Sequence, residues 1–550
     1  GKSLQYNIQT VNIDNNNVGE HNLTDAGLFL TFQQDVSSVE LQVGISFIDH
    51  THALKNLEQE VMHVNQQPSI QSNKENFSYS IQSNKETFLF SKIFNQAKKL
   101  WDQTLHGYIQ VKGGTQNNRT KFYTHLYESF CAPSIWSEAG GAYRGFDKEI
   151  HTQSPGFNIY TDLSIWDIYR TEWPLLVLLR PDIASDVVNS LLLMQKQLPQ
   201  QKLPKWMLLF GDTGSMEGLF ATQMIVDAYM NGLDGSFDNQ QALQVIASSQ
   251  RQQEEGSHYV QQGFASGDAS KTLCFAFNDF CVAKYADALN TNGQYNDIVT
   301  SFTNTSHNWR NLWNKRVKFL CGKDAETNHW TECNKLLFEK VYALYPFDSN
   351  YREGDAWHYR WFVPHEMNTL INEYYGGEQE FNKLLEQFFE KGAPLLDSNF
   401  LPNPYYWAGN EPDLQTPYLF AYSNRTDLLA KWVRWIQAHR YSLFANGIPG
   451  NNDYGTMSAW FVLSSIGLFP VHCESSYILG MPLFEHITID LGAFGKKARQ
   501  PLTIITHLPE SVSSQQFASS EPGLSVSSVE WNGKTVQSFP FINSKMVNMG

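Results

Sequence analysis

From about Ile93 to residue 470 the apolar residues return every three or four positions, and no other feature restricts the fold of this chain as strongly. IFNQAKKLWDQTL, KFYTHLYESFCA, SDVVNSLLLMQKQ, QQALQVIASSQRQQ, KTLCFAFNDFCVAKYADAL, FNKLLEQFFEKG and DLLAKWVRWIQAHRYSLF each carry one apolar stripe at helical spacing. Between them lie loops rich in Gly, Trp, Asp and Glu: GGAYRGFD, SIWDIYRTEWP, LPKWMLLFGDTGSMEG, YREGDAWHYRWFVPHE, NPYYWAGNEPDLQTPY and NGIPGNNDYGTMSAW. Six such loops alternating with helix pairs predict helical hairpins closed into an (α/α)6 barrel over residues 91–470. One face of loops then forms a pocket, and the polar and aromatic residues gathered there argue against a purely structural scaffold.

The two ends read differently. GLFLTFQQ and VELQVGISFI alternate or run β-branched between Asn- and Ser-rich connections, which predicts part of an N-terminal β-sandwich over residues 1–90. Its strands are too few to cover two faces, so the sandwich reads as incomplete in this chain and completed by an upstream segment or a separate upstream chain. Within it, SNKENFSYSIQ and SNKETFLFSKI form a local duplication to which no function is assigned. Residues 471–550 return to β character in HITIDL, QPLTIITHL and LSVSSVEWNG, strands expected to pack back on the N-terminal β domain.

A chain of 550 residues exceeds one small core, so several domains are expected. Its formal charge of −15 disfavours nucleic acid and anionic membranes as partners, both of which need a basic surface. No apolar run is long enough for a membrane span. Aromatic residues, 14% of the chain, serve a large core first and sugar stacking second. Sequons at Asn22, Asn76, Asn118, Asn304 and Asn424, with six cysteines, point to a secreted or lysosomal glycoprotein. Cys321 and Cys333 bracket a short polar segment that a disulfide would close. Cys274 and Cys281 stand about 10 Å apart along a helix, too far to bond.

Cleaving a glycosidic bond takes one carboxylic acid and one carboxylate. Glu353 and Asp355 in YREGDAWHY stand near one helix start, where helix capping is the stronger reading on spacing alone. Asp453 in the Gly- and Asn-rich turn GIPGNNDYG has the same ambiguity, since an Asp there is a natural N-cap. GNEPD concentrates oxygen donors, Asn410, Glu411 and Asp413, of the kind a calcium ion takes, although EF-hand spacing is absent. Zinc spacing, a phosphate-binding glycine loop and a G-x-S-x-G elbow are also absent.

At these loops the chain resembles glycoside hydrolase family 92, the calcium-dependent inverting exo-α-mannosidases. The resemblance runs through VGISFIDHTHALKNLEQE, FYTHLYESF, YRGFD, SIWDIYRTEWPLL, GDTGSMEG, REGDAWHYRWFVPH, AGNEPDLQTPYL, IPGNNDYGTMSAWFVLSSIGLFPV and YILGMPLFEHITI. It implies a β-sandwich followed by an (α/α)6 barrel, with Ca2+ binding two hydroxyls of a terminal mannose on a glycan such as an N-glycan. It implies Glu353 as general acid and Asp453 as the base that activates water. An inverting pair of this kind stands about 6.5 to 9.5 Å apart. Asn410 and Glu411 match the calcium-ligand segment. Trp166, Asp167 and Arg170 match contacts to the distal hydroxyls, and Asp355 and His358 match pocket neighbours.

Asn451 stands where the family often has an acid two places before the base. Tyr405, Tyr406 and Trp407 replace the His and Glu associated with α-1,2 linkages, which weighs against that specificity. Two rival readings follow: a catalytically weak mannose- or glycan-binding protein, and a relative that cleaves a mannosyl phosphodiester. Gln in place of Glu353 would mark the latter.

Overall fold

The computed structural model describes residues 9–13, 25–29, 43–60, 87–152, 156–331, 333, 350–395, 403–491, 493–494, 497–509, 512–513, 524–543 and 547. They belong to two compact units, Gly1–Asp102 with Glu138–Gly140, and Gln103–Ser137 with Gly141–Gly550.

In the first unit β1 (Gln9–Ile13) pairs antiparallel with β2 (Asp25–Phe29), and α1 (His50–Glu60) and the start of α2 (Thr87–Tyr108) follow. The expectation that residues 1–90 are strands and turns is therefore corrected. Residues 43–48 form no strand: the Phe47 N–H donates to Glu138 Oε1 at 2.9 Å instead of to a ladder, and the Ser46 hydroxyl joins the same oxygen at 2.6 Å. Asp49 then accepts the His52 amide at 2.9 Å, a capping bond that starts α1. The sequons at Asn22 and Asn76 and the first copy of the duplication lie outside the described residues, while the end of the second copy opens α2.

The second unit begins with β3 (Ile109–Lys112) and continues through α3 (Gln116–Ser129), α4 (Ile165–Ile168), α5 (Glu172–Leu179), α6 (Pro181–Gln197), α7 (Ala221–Ala228), α8 (Asn239–Glu254), α9 (Ala269–Leu289) and α10 (Asn296–Ser306). After these come α11 (Ala356–Tyr359), α12 (Glu378–Gly392), α13 (Thr426–His439) and α14 (Thr456–Ile466). The seven segments with helical periodicity fall on α2, α3, α6, α8, α9, α12 and α13. Caps fix several starts: Thr115 accepts the Asn118 amide, and Asp238 and Asp268 do the same for α8 and α9. Helix α14 is buried at every position and lies between two left-handed glycines, Gly455 and Gly467.

The C-terminal strands find a different partner from the expected one. Strand β6 (His486–Ile489) pairs antiparallel with β3 on one side and with β7 (Leu502–Ile505) on the other. Ile489 faces Ile109 and Ile487 faces Val111, so the buried residues share one face. Phe122 of α3 meets Phe484 edge-on at 5.3 Å beside them. A second sheet joins β4 (Leu468–Val471), β5 (Ser476–Leu479) and β8 (Phe541–Asn543). Residues 524–529 form no strand, and the Asn532-Gly533 turn, both residues at positive φ, closes a short hairpin just after them.

The pairing Cys321–Cys333 is formed, and Cys274 is free and buried. Cys281 bonds Cys473, tying the middle of α9 to the turn between β4 and β5 across 192 residues of chain. In that turn Asp227 of α7 accepts the Cys473 amide and sits 2.8 Å from His472 Nδ1. Closing so long a loop removes unfolded-state entropy equivalent to about 5 kcal/mol. Replacing Cys281 and Cys473 together by Ser is expected to lower the melting temperature by several degrees in calorimetry. An unchanged melting temperature would place all the stability in the surrounding packing.

Candidate active site

Four carboxyl groups from four of the loops between helices converge in the second unit. Asp167 lies in α4, Glu353 two residues before the cap of α11, Glu411 in the GNEP turn and Asp453 three residues before α14. Asp167 and Glu411 are buried, and Glu353 and Asp453 are half-buried. Burial, and after it the negative charge of Asp453, raises all three of Asp167, Glu353 and Glu411, and takes Asp167 and Glu411 well above the ordinary carboxylate value. Glu411 also feels the charges of Asp167 and Glu353. Arg352 and Arg170 pull Glu353 back down.

Backbone geometry explains how residues so far apart in sequence meet. Asn410 Nδ2 donates to the Glu353 carbonyl at 2.5 Å, tying the GNEP turn to the REGD turn. The GNEP and PGNND loops cross at two glycines: a Cβ on Gly450 would stand 2.2 Å from the Gly409 carbonyl oxygen. Only glycine permits that approach. Thr171 Oγ1 donates to the Thr456 carbonyl at 2.6 Å, joining the SIWD segment to the first turn of α14. Glu353 and Asp453 both occupy the left-handed region, at φ 49° and 45°. Such positions are uncommon for residues other than glycine and cost on the order of 1–2 kcal/mol each.

Arg170 is buried with its guanidinium over Trp166, Tyr169, Phe220 and Phe362, at 4.8 to 5.9 Å from the ring centres. It supplies fixed positive charge behind the carboxyl groups. Trp166 Nε1, Asp167 Oδ2 and Glu411 Oε1 are buried without a hydrogen-bond partner among the described residues. Buried polar atoms are nearly always paired, so three orphans in one neighbourhood suit a bound polar ligand or ion.

The residues fit a hard cation in part. Glu411 offers an unpaired oxygen among mutually repelling carboxyl groups, and Asn410 is buried beside it. Among the described residues no three Asp, Glu, His or Cys side chains form a complete metal cage. Backbone, water and ligand oxygens would have to supply the remaining coordination.

Two of the expected pocket residues are placed elsewhere. Asp355 is fully buried as the N-cap of α11, where Oδ1 accepts the Trp357 and His358 amides at 2.8 and 3.3 Å. His358 completes a capping box by receiving the Asp355 amide on Nδ1 at 3.1 Å. Its Nε2 stands 2.9 Å from the carbonyls of Asn403 and Tyr405. Both residues therefore brace the turn that bears Glu353. Asn451 is exposed and lies outside the buried group. An unanticipated pair also appears: Arg352 donates to the buried carboxylate of Glu217 at 2.8 Å. The GDTGSMEG loop had drawn attention, but no spacing relates position 217 to 352.

Comparison with known proteins finds glycosidases. An "uncharacterized secreted glycosidase" of Arthroderma benhamiae is 25% identical over 492 residues, 86% of this chain and 56% of that protein. Among solved structures, a family GH92 α-mannosidase from Bacteroides thetaiotaomicron superposes with a TM-score of 0.75 at 24% identity, covering 92% of this chain and 61% of that one. A family GH92 inverting mannosidase from the same organism gives 0.72 at 22% identity, covering 92% and 64%. The chain thus spans 56 to 64% of the length of these relatives. The model of the glycosyl hydrolase family 92 catalytic domain matches residues 75–550, and the chain belongs to that family.

Proposed function

We propose that this chain is the catalytic part of a calcium-dependent, inverting exo-α-mannosidase acting on terminal mannose of glycans. The observation that carries the reading is the pairing of Glu353, raised by burial and by the charge of Asp453, with Asp453 itself on a facing loop. A raised carboxyl stays protonated at mildly acidic pH and donates to the leaving oxygen, while a second carboxylate takes a proton from water. Glu353 is then the acid and Asp453 the base. Trp166, Asp167 and Arg170 hold the distal hydroxyls, and the helices are read as an (α/α)6 barrel around them.

Asn410 and Glu411 would hold calcium, whose charge orients sugar hydroxyls and favours a ring distorted toward the transition state. The chain's own residues handle the protons. Glu353 Oε carries the proton destined for the leaving group, and Asp453 Oδ receives one from water. The aromatic wall of Trp166 and Tyr169 keeps bulk water from Arg170. Two disulfides and the secreted glycosidase relative support an oxidising, secretory location. Among the described residues no helix is long and apolar enough to cross a membrane. Glu353 weighs against the phosphodiester-cleaving alternative.

The test is mannose release from α-1,2, α-1,3, α-1,4 and α-1,6 mannobiosides, with and without a calcium chelator, following the first-formed anomer by NMR. Chelator-sensitive release of β-mannose is expected, strongest on linkages other than α-1,2. Calcium should also raise the melting temperature at neutral pH. Asp167 and Glu411 hold their protons above the ordinary range, so their contribution to stability is present at low pH and lost as pH rises. A cation replaces those protons. Mannose binding without release would support the binding-protein reading, and first-formed α-mannose would exclude inversion.

A further inference from the structure

Asp453 does not stand alone in its unusual backbone. Asp453, Tyr454 and Gly455 have φ of 45°, 53° and 94°, three consecutive left-handed residues leading into α14. A run of this kind is unfavourable for L-residues and persists only where its surroundings over-determine it. Four hydrogen bonds fold the turn onto Asn452 and Asp453. The Gly455 and Met457 amides donate to the Asn452 carbonyl at 3.1 and 3.2 Å, and the Thr456 amide to the Asp453 carbonyl at 3.2 Å. The Ser458 amide donates to Asn452 Oδ1 at 3.1 Å.

Other elements anchor this turn by its carbonyls, through the hydroxyls of Thr171 on Thr456 and Tyr441 on Met457, and α3 holds it by a side chain. The Ser458 hydroxyl, wholly buried, donates to Glu128 Oε2 of α3 at 2.8 Å. His125 Nδ1, one turn earlier on α3, stands 3.1 Å from both that carboxylate oxygen and the hydroxyl. The end of α3 also lies against the turn, since a Cβ on Gly455 would meet the Ser129 Cα at 3.1 Å. Ser, His and Glu together invite comparison with a nucleophile triad. Here, however, the hydroxyl donates to the carboxylate instead of to the imidazole, and Ser458 and His125 are buried while Glu128 is half-buried, so the arrangement clamps and does not attack.

We propose that Glu128, acting through Ser458 and Asn452, is a positioning residue that holds Asp453 at the angle from which it takes the proton of the attacking water. The inference rests on the assignment of Asp453 as base. Losing the clamp leaves the sugar-binding residues in place and lets the turn relax toward ordinary backbone, so turnover suffers and substrate binding does not.

The test combines kinetics with amide hydrogen exchange on the full chain. Glu128→Ala and Ser458→Ala should each lower kcat by about 10- to 50-fold with KM within about 2-fold, as displacement of a reacting group by about 1 Å does. The double variant should be no worse than either single one, because one contact is removed in every case. Glu128→Gln, which keeps the acceptor oxygen, should recover kcat. Exchange at the amides of Gly455, Thr456, Met457 and Ser458 should quicken in the alanine variants. Unchanged kcat, multiplicative losses, or a lowered melting temperature with kcat intact would overturn the proposal. Should the wild-type chain hydrolyse no α-mannoside, the reading of the preceding section falls. Exchange then decides the clamp alone: faster exchange in Glu128→Ala supports it and unaltered exchange overturns it.

Discussion

Glu353→Gln is expected to lose about 10³- to 10⁴-fold in kcat on a mannobioside and to recover most of it on 2,4-dinitrophenyl α-mannoside. A sugar alkoxide is a poor leaving group and departs only as it is protonated, whereas dinitrophenolate departs unaided. Gln keeps the shape and hydrogen bonding of the side chain and removes only the transferable proton. The pH profile adds a second readout. Burial first, and then the charge of Asp453, raises the Glu353 carboxyl from its ordinary value, so the required protonated form survives to higher pH. The alkaline limb of kcat/KM on the mannobioside should therefore lie at higher pH than an unperturbed glutamic acid would set. In Glu353→Gln acting on the dinitrophenyl substrate that limb should vanish. Equal losses on both substrates would remove Glu353 from the acid's role and assign it to binding.

What could be read from the sequence divides along physical lines. Helices such as α9 announce themselves through contacts three and four residues apart, and their caps are one-residue signals, as at Asp238 and Asp268. Glu353 and Asp453 read on spacing alone as helix caps and Glu411 as one of several oxygen donors in GNEPD, while Asp167 and the catalytic roles come only from the resemblance. Their convergence did not follow from that. It depends on backbone-to-backbone approach at Gly409 and Gly450, and a glycine's reason for being where it is appears only when its neighbour does. The same limit governs β6, whose partner β3 lies more than 370 residues earlier, and Cys281, whose partner lies beyond most of the helical body.

Asp355 and His358 show the converse case. Spacing alone favoured capping, the resemblance favoured a place in the pocket, and the hydrogen bonds side with the local chemistry. Residues 43–48 failed as a strand for a related reason. Alternation describes which side chains match a pleat, and here the Phe47 amide that a ladder would use is taken by Glu138.

Asp453→Ala is the companion expectation, with the opposite dependence on leaving group. Water must lose a proton as it attacks whatever departs, so the loss should be about 10³- to 10⁴-fold on mannobioside and dinitrophenyl mannoside alike. Alanine also vacates a carboxylate-sized space near Glu411, whose carboxyl the charge of Asp453 raises. Azide fits such a space and needs no deprotonation to attack. Added azide should therefore restore turnover of the dinitrophenyl substrate and yield β-mannosyl azide, the product of attack on the face opposite the leaving group. Turnover of the mannobioside would recover as well, since Glu353 still supplies its proton. An α-mannosyl azide would mean that Asp453 acts as the acid–base group of a double displacement. A β-azide together with first-formed β-mannose from the wild-type chain admits only a single displacement in which Asp453 is the base. The same substitution removes the negative charge that raises Asp167, Glu353 and Glu411. All three carboxyl groups should then titrate lower in Asp453→Ala, and the alkaline limb measured with azide should shift to lower pH.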